Sequence, residues 1–96
     1  MAGYHRFERV IYHPALTLKY VKPSLRPGLR TAVGTKVSPK ATQRNLLKRR
    51  LREIWRSLPI PSGVAATIYV KPVALKMSFA ELKTAVTKLV LPLTRE

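Results

Sequence analysis

Cationic side chains are concentrated in one stretch of the chain, TQRNLLKRRLREIWRSL, at residues 42–58. At 100° per residue, Leu47, Leu51 and Ile54 fall within a narrow sector, so this stretch predicts an amphipathic helix with one apolar face. Its remaining surface carries six cations and one acid, Glu53. The cations repel one another at helical spacing unless a negatively charged partner neutralises them. These residue types therefore favour phosphate binding on a polyanion, and a face that is only solvated is the weaker alternative.

Residues that could carry hydrolytic chemistry are scarce. The sequence has no Asp and no Cys, and its four acids are Glu8, Glu53, Glu81 and Glu96. A phosphodiesterase site built from protein alone usually needs clustered carboxylates that hold metal ions, so such a site is not expected. His5 and His13 could act as an acid and base pair. We interpret them instead as exposed or phosphate-contacting side chains, because their segment carries no strong structural signal.

The overall charge points to a nucleic-acid partner. Nineteen Lys and Arg residues against four acids give a net charge of +15, and 46% of the residues are hydrophobic. A chain of 96 residues with this composition predicts one folded domain with a small core. The charge favours nucleic acid over an anionic membrane surface. No apolar run approaches the roughly 18 residues of a membrane span. The N-terminus has no apolar signal region, so we expect a cytoplasmic protein without a membrane partner.

The apolar patterns predict an α+β domain with a small mixed sheet of about four strands packed with two main helices. Residues 15–22 alternate apolar and polar side chains and predict the first strand, and residues 29–37 predict the second. Between them, the segment PSLRPG predicts a hairpin connection. Residues 64–71 are almost wholly apolar, which predicts a central strand covered on both faces.

The ends of the two helices are marked by capping and breaking residues. Thr42 has a hydroxyl suited to capping the basic helix, which we expect to end at the prolines after Leu58. Ser78 and Glu81 have the spacing of a capping box, so the last helix should begin there and end near Pro92.

The N-terminal segment is too short to form a long helix before Pro14. We expect an extended arm or a helical turn at residues 1–14, ahead of a core at residues 15–91. Residues 1–96 would then form a single domain that binds nucleic acid.

Five aromatic side chains could stack on unpaired bases, although each also suits core packing. They are Tyr4, Phe7, Tyr12, Tyr20 and Tyr69. Tyr20 is the best candidate for stacking, because it lies on the first predicted strand next to Lys19 and close to Lys22. Trp55 lies at the apolar edge of the basic helix and is assigned to the core.

One motif resembles that of a known family. Residues 44–53, RNLLKRRLRE, are similar to the signature Arg-Asn-x-x-Lys-Arg-x-x-Arg-Glu of the protein component of bacterial ribonuclease P. The positions that match are Arg44, Asn45, Lys48, Arg49, Arg52 and Glu53. The upstream segment RTAVGTKVSPKATQ and the downstream segments ATIYVKP and MSFAELKTAV resemble the family's flanking strands and last helix. The resemblance covers residues 16–90.

The sequence departs from the family pattern in two places. Leu46 occupies the third position of the motif, where the family usually has arginine, so one contact to the RNA backbone is expected to be missing or supplied by Arg50. The family begins with a full helix before its first strand. Here FERV, at residues 7–10, resembles only the end of that helix, so we expect the first helix to be shortened or missing.

The resemblance implies both a fold and a function. The expected fold is that of the ribonuclease P protein, similar to domain 2 of ribosomal protein S5, with a left-handed βαβ crossover through the basic helix. The expected function is that of a subunit of an endoribonuclease whose catalytic RNA removes the 5′ leader of precursor tRNA. Its cofactor would be Mg²⁺, held mainly by the RNA. Its partners would be ribonuclease P RNA and precursor tRNA, with no protein partner required and no catalysis by the protein alone.

The resemblance also implies two sets of binding residues. Contacts to the catalytic RNA are expected from Lys40, Arg44, Asn45, Lys48, Arg49, Arg50, Arg52 and Arg56. The cleft for the single-stranded leader is expected to include Phe7, Lys19, Tyr20, Thr35 and Lys36. A ribosomal structural RNA-binding protein would share the size, charge and fold class, and it is the alternative function. A DNA-binding helix-turn-helix protein fits less well, because no short helix is predicted before the basic helix.

Overall fold

The computed structural model describes residues 7–94, and side chains from residue 9 onward. Within that range the elements follow in the order β1 (Phe7–Tyr12), β2 (Leu16–Lys22), β3 (Gly28–Ala32), α1 (Ala41–Ser57), β4 (Ala65–Val70), a short 3₁₀ helix (Pro72–Lys76) and α2 (Phe79–Thr94). The mixed four-stranded sheet with two α-helices confirms the predicted α+β class. None of the described helices is long and apolar enough to cross a membrane.

The sheet has the strand order β1-β2-β4-β3. β1 pairs with β2 and β2 pairs with β4, both antiparallel, whereas β3 and β4 run parallel. Because β4 lies between β2 and β3, the predicted hairpin connection between those two strands was wrong. Parallel neighbours need a crossover connection, and α1 supplies it between β3 and β4. The expected βαβ unit is therefore present, while the left-handed sense of its crossover stays a prediction.

One face of the sheet is covered by both helices and forms the core. Side chains alternate between the two faces of a strand. Every second residue of β2 and β4 is buried, namely Leu16, Leu18, Tyr20, Ala66, Ile68 and Val70. The buried residues of α1 are Leu47, Leu51, Ile54 and Trp55. Those of α2 are Leu82, Ala85, Val86, Leu89, Val90 and Leu93. The apolar stripe and the core position of the tryptophan predicted for the basic helix are thus confirmed.

The other face of the sheet is not covered by any described element, and we call it the open face. Its residues are Val10, Tyr12, Thr17, Lys19, Val21, Arg30, Ala32, Ala65, Thr67 and Tyr69. β4 lies in the interior of the sheet as predicted, but Tyr69 is 44% exposed. The prediction that this strand is covered on both faces was wrong. Ala65 and Thr67 are small or polar enough to lie on an uncovered face, and Thr is also favoured in strands.

The N-terminal segment forms a strand and not a helical turn. β1 runs antiparallel to β2, with Tyr12 opposite Thr17. The turn between the strands contains a hydrogen bond from the backbone N–H of Ala15 to Nδ1 of His13, at 3.0 Å. The sheet therefore includes residues 7–12, ahead of the expected core boundary at residue 15, and no first helix is present within the part of this segment that the structure describes. Residues 1–6 of the expected arm lie outside the described residues.

The second predicted strand is shorter than residues 29–37. β3 ends at Ala32. Beyond it, the backbone N–H of Val37 donates to the carbonyl oxygen of Gly34 at 3.1 Å, which closes a turn. The side chain of Val37 is buried, so the chain turns back toward the core before α1 begins.

The basic helix begins without the expected Thr42 cap. Lys40 is the N-cap residue, and no side chain caps the helix. Instead, the hydroxyl of Ser38 accepts a hydrogen bond from the backbone N–H of Lys40 at 3.1 Å and donates to Oε1 of Gln43. Ser38 is buried and Thr42 is exposed. The chain enters the helix from the core, so buried Ser38, and not exposed Thr42, contacts the residues that begin the helix.

The last helix begins where it was predicted to begin, but it extends two residues beyond Pro92. The backbone N–H of Ser78 donates to Oε1 of Glu81 at 2.8 Å, and that of Glu81 donates to Oγ of Ser78 at 3.1 Å. This reciprocal pair confirms the capping box. Pro92 does not end the helix, which continues to Thr94. The buried side chain of Leu93 holds the last turn on the core, which offsets the backbone hydrogen bond that the proline removes.

Candidate nucleic-acid interface

Four polar side chains form a row along the solvent side of α1, and we call them the basic row. Asn45, Arg49, Arg52 and Arg56 follow one another at intervals of three or four residues, and all four are exposed. The row is about 16 Å long at 1.5 Å per residue. Lys48 lies half-buried beside it. The helix thus brings together most of the residues that the motif predicts to contact RNA.

The charges of the basic row are not neutralised within the part of the chain that the structure describes. Glu53 is the single acid of α1. Within residues 9–94, neither Glu53 nor any arginine of the row takes part in a salt bridge. The positive potential along this side of the helix therefore suits an external phosphate backbone.

Arg44 lies at the start of α1 and is tied to the segment that leads into the helix. Its Nη1 donates a hydrogen bond to the carbonyl oxygen of Ser38 at 2.9 Å, and its side chain is half-buried. A guanidinium has five N–H donors, so this bond orients the group and leaves other donors for a phosphate. The motif alone did not indicate that Arg44 also has this intramolecular contact.

Three further residues flank the basic row. Lys40 is exposed at the N-cap position, one turn before Arg44. Leu46, in the place of the motif arginine, is 41% exposed. Arg50 follows Leu46 by one helical turn on the same flank of α1. This geometry allows Arg50 to supply the missing contact, which stays a prediction.

Tyr20 does not belong to an accessible leader cleft. Its side chain is 1% exposed and lies on the core face of β2 together with Leu16 and Leu18, so it offers no accessible face to a base. The alternation of β2 already groups Tyr20 with the two leucines. The prediction of Tyr20 as a stacking residue gave more weight to the neighbouring lysines, and it was wrong.

The other residues expected at the leader lie in different parts of the fold. Lys19 is half-buried on the open face. Thr35 and Lys36 are exposed in the turn after β3. This turn lies beyond the end of the sheet at which Ala32 of β3 pairs with Tyr69 of β4. The side chain of Phe7 lies outside the described side chains. The structure therefore brings Lys19 to the uncovered sheet surface but does not join it to Tyr20.

Two exposed tyrosines that were not assigned to the site occupy the open face. Tyr12 is 76% exposed and Tyr69 is 44% exposed. Both lie opposite Thr17 in the sheet register, so the three residues form one row across β1, β2 and β4. Neighbouring strands are about 4.8 Å apart, so the backbones of the two tyrosines are about 10 Å apart. In the alternation of side chains along the strands, both tyrosines are out of phase with the buried residues. This alternation was the sequence signal that could have identified them as open-face residues.

A cleft of about 670 Å³ lies on the open face along β4. Ala65, Thr67 and Tyr69 line its floor, and the connection at residues 24–28 lines one end. Its cations are Lys19, Arg26 and Arg30, and no acid is among the described residues that line it. Cations over a polar floor beside an aromatic ring suit single-stranded nucleic acid.

Metal-ligating and acid–base groups do not gather in the described part of the chain. No group of three or more His, Cys, Asp or Glu residues there could hold a metal ion. His13 is half-buried, and its Nδ1 accepts the backbone hydrogen bond that helps to form the β1–β2 turn. His5 lies outside the described residues. The residues that the structure describes do not fit a Mg²⁺ site built from this protein alone.

Comparison with known proteins gives a match across nearly the whole chain. The family profile described as Ribonuclease P matches residues 4–94. The RNase P protein from Thermotoga maritima is similar in structure, with a TM-score of 0.74 and 22% identity over 86% of this chain and 81% of that chain. The RNase P protein from Staphylococcus aureus is similar with a TM-score of 0.73 and 16% identity over 92% of this chain and 82% of that chain. A search of curated proteins found no match.

The two kinds of match support different statements. At these identities the solved structures show that the fold is shared, which confirms the predicted ribonuclease P protein architecture. The profile match extends from before β1 to the end of α2 and shows the family. The chain therefore belongs to the ribonuclease P family, the family of the bacterial ribonuclease P protein component.

Proposed function

We propose that the chain acts as the protein subunit of a bacterial ribonuclease P ribonucleoprotein in the cytoplasm. In this role it binds the catalytic RNA through α1 and the single-stranded 5′ leader of precursor tRNA through the sheet. The catalytic RNA holds the Mg²⁺ and performs the endonucleolytic removal of the leader. Family membership supports this proposal, and the charge distribution of the chain supports its RNA-binding part.

The basic row of α1 is the observation that carries the proposal. Its three arginines are exposed and lack salt bridges within residues 9–94. When such cations contact phosphates, condensed counterions are released, which favours association and makes it depend on salt. Catalytic RNA and precursor tRNA are both polyanions, and a protein with a net charge of +15 between them lowers their repulsion.

The open face is the second surface in this proposal. Lys19 lies on it, and Thr35 and Lys36 lie beyond one end of the sheet. Aromatic stacking and phosphate contacts tolerate any base sequence, which suits a subunit that accepts leaders of different sequence. Tyr69, which lines the cleft of the open face, replaces Tyr20 as the tyrosine for such contacts.

The protein supplies binding and orientation and no catalytic group. Its described residues do not fit a protein-held Mg²⁺ site, so no step of the cleavage is assigned to a side chain of this chain. Holding two RNA molecules in a productive orientation is by itself a large contribution to rate.

Cleavage of a precursor tRNA by a bacterial ribonuclease P RNA at low Mg²⁺, with and without the protein, tests the proposal. We expect the protein to restore cleavage that the RNA alone performs slowly, and the protein alone to cleave nothing. The double variant Arg49→Ala/Arg52→Ala should restore less cleavage than Lys83→Ala/Lys88→Ala, which removes two exposed cations from α2. Tight RNA binding without rescue by the unaltered protein would contradict the proposal and favour a structural RNA-binding role, as in a ribosome.

A further inference from the structure

We propose that single-stranded RNA lies lengthwise along β4 in the cleft of the open face, between Tyr69 and the connection at residues 24–28. This inference rests on the proposed function, because the 5′ leader is the single strand concerned. It adds to that site a direction, a length and three contact residues, Tyr69, Arg30 and Leu25.

The direction and length follow from the floor of the cleft. Tyr69, Thr67 and Ala65 line it one after another along the outer side of β4. At about 3.3 Å per residue, the floor from Tyr69 to Ala65 is about 13 Å long. That length matches about four nucleotides at the stacked spacing of 3.4 Å, and fewer when the bases are splayed apart.

Cationic residues stand on both sides of this path. Arg30 of β3 lies beside Thr67 in the parallel register, and Lys19 of β2 lies opposite Thr67 on the other side. An RNA backbone that follows β4 therefore passes between the two cations near the middle of the floor. A backbone that crossed the strands at the row of tyrosines would instead lie two residues, or about 7 Å along the strands, from both cations.

Each end of the path offers an apolar surface to a base. Tyr69 lies at one end, with its ring partly exposed. Leu25 lines the other end, and at 89% it is the most exposed large apolar side chain in the described part. The next residue, Arg26, also lines the cleft. A nucleotide has both an apolar base face and a charged phosphate, so an apolar side chain beside a cation can contact both parts.

The connection that carries Leu25 is fixed at both of its ends to the two residues that precede β4. The backbone N–H of Ser24 donates to the carbonyl oxygen of Gly63 at 2.8 Å. The backbone N–H of Gly28 donates to the carbonyl oxygen of Val64 at 3.0 Å. The end wall of the cleft is therefore held in place before RNA binds, so less ordering is needed on binding.

Binding of a fluorescently labelled single-stranded RNA hexamer to the full chain, measured by anisotropy, tests this path. We expect Tyr69→Ala to weaken binding about fivefold or more and Leu25→Ala to weaken it about threefold. Arg30→Ala should lower the slope of log affinity against log salt by about one. All three side chains are exposed, and a circular dichroism melt verifies that each variant folds.

Two control variants separate the lengthwise path from its rivals. Tyr12→Ala removes the tyrosine that a transverse path would use, and Lys83→Ala removes a distant cation; neither should change hexamer binding by more than about twofold. Equal losses in Tyr12→Ala and Tyr69→Ala, with none in Leu25→Ala, would overturn the lengthwise path in favour of a transverse one. Unchanged binding in all the variants would overturn any use of the cleft.

Failure of this inference is distinct from failure of the proposed function. If the unaltered protein restores precursor cleavage at low Mg²⁺ and Tyr69→Ala and Leu25→Ala restore it equally well, the lengthwise path is overturned while the subunit role stands. If hexamer binding depends on Tyr69 and Leu25 but the unaltered protein restores no cleavage, the path stands and the proposed function fails.

Discussion

The guanidinium of Arg44 donates a hydrogen bond to the carbonyl oxygen of Ser38 at 2.9 Å. Ser38 is 1% exposed, and its hydroxyl is bonded both to the backbone N–H of Lys40 and to the side chain of Gln43. One buried serine therefore holds the segment between β3 and α1 against the first turn of the helix. The hydrogen bond between Arg44 and Ser38 also sets the direction in which the Arg44 side chain leaves that turn.

Replacing this serine should destabilise the fold. We expect Ser38→Ala to lower the free energy of unfolding by about 1–3 kcal/mol, because the hydrogen bonds of a buried hydroxyl are lost. Urea denaturation followed by circular dichroism measures the change. The matched control is Ser62→Ala in an exposed loop, which should cost less than about 0.5 kcal/mol. Equal effects of the two variants would contradict the role given to Ser38.

Removing two arginines of the basic row should weaken binding to the catalytic RNA and should also reduce the salt dependence of that binding. For Arg49→Ala/Arg52→Ala we expect the slope of log affinity against log salt to fall by about two, because two phosphate contacts are lost. Filter binding or anisotropy over a range of salt concentrations measures the slope. Lys83→Ala/Lys88→Ala has the same change in charge on α2, and a slope reduced as much by this pair would reject α1 as the RNA-binding helix.

Restoring the motif arginine should strengthen RNA binding. Leu46 is 41% exposed on α1 and does not belong to the hydrophobic core, so Leu46→Arg replaces no core side chain and adds a cation next to the basic row. We expect a higher affinity for the catalytic RNA and a salt slope increased by about one. Leu91→Arg adds the same charge at a position of α2 that is 47% exposed. An equal gain from Leu91→Arg would show that total charge, and not position on α1, determines the affinity.

Tyr20 and Tyr69 should differ in how much their replacement by alanine lowers the free energy of unfolding. Tyr20→Ala leaves a cavity in the core and should lower the free energy of unfolding by about 3–5 kcal/mol. Tyr69→Ala changes a partly exposed residue and should cost about 1 kcal/mol or less. Chemical denaturation of both variants measures the difference. Similar, small losses would mean that Tyr20 is not a core residue and would return it to the binding surface.

The capping box should contribute to the stability of α2. Ser78→Ala removes the acceptor for the backbone N–H of Glu81, and we expect a loss of about 1 kcal/mol. Thr84→Ala is a control on the same helix, since its hydroxyl bonds only to a carbonyl one turn earlier. Alanine has the higher helix propensity, so this control should be neutral or stabilising. Thermal unfolding of both variants tests the assignment, and an equal loss in both would contradict it.

Several features were accessible from the sequence because their signals are local. The spacing of Leu47, Leu51 and Ile54 determines which side of α1 is apolar, and the same periodicity places the arginines on the opposite side. Ser78 and Glu81 are close enough in sequence to cap a helix by themselves. The motif at residues 44–53 identified the family before the fold was known. The structure confirmed the first two features, and the family profile confirmed the third.

Other features depended on packing between distant segments. The strand at Phe7–Tyr12 forms against the edge of β2, and its own sequence did not distinguish it from a helical turn. Pro92 lies within α2 because Leu93 is buried beyond it. The expected cap at Thr42 did not form, because α1 begins earlier, with Lys40 as its N-cap residue directly after the turn held by buried Ser38.

The sequence by itself determined which residues share a face, and the tertiary structure decided which faces are covered. Alternation in β2 separates Tyr20 from Lys19, but it does not say which of the two faces the helices will bury. That choice depends on where α1 and α2 pack, and they pack on the face of Tyr20. The register of β1, β2 and β4 then puts Tyr12 and Tyr69 in one row on the uncovered side. Periodicity is a property of one segment, whereas burial is a property of the segments that contact it.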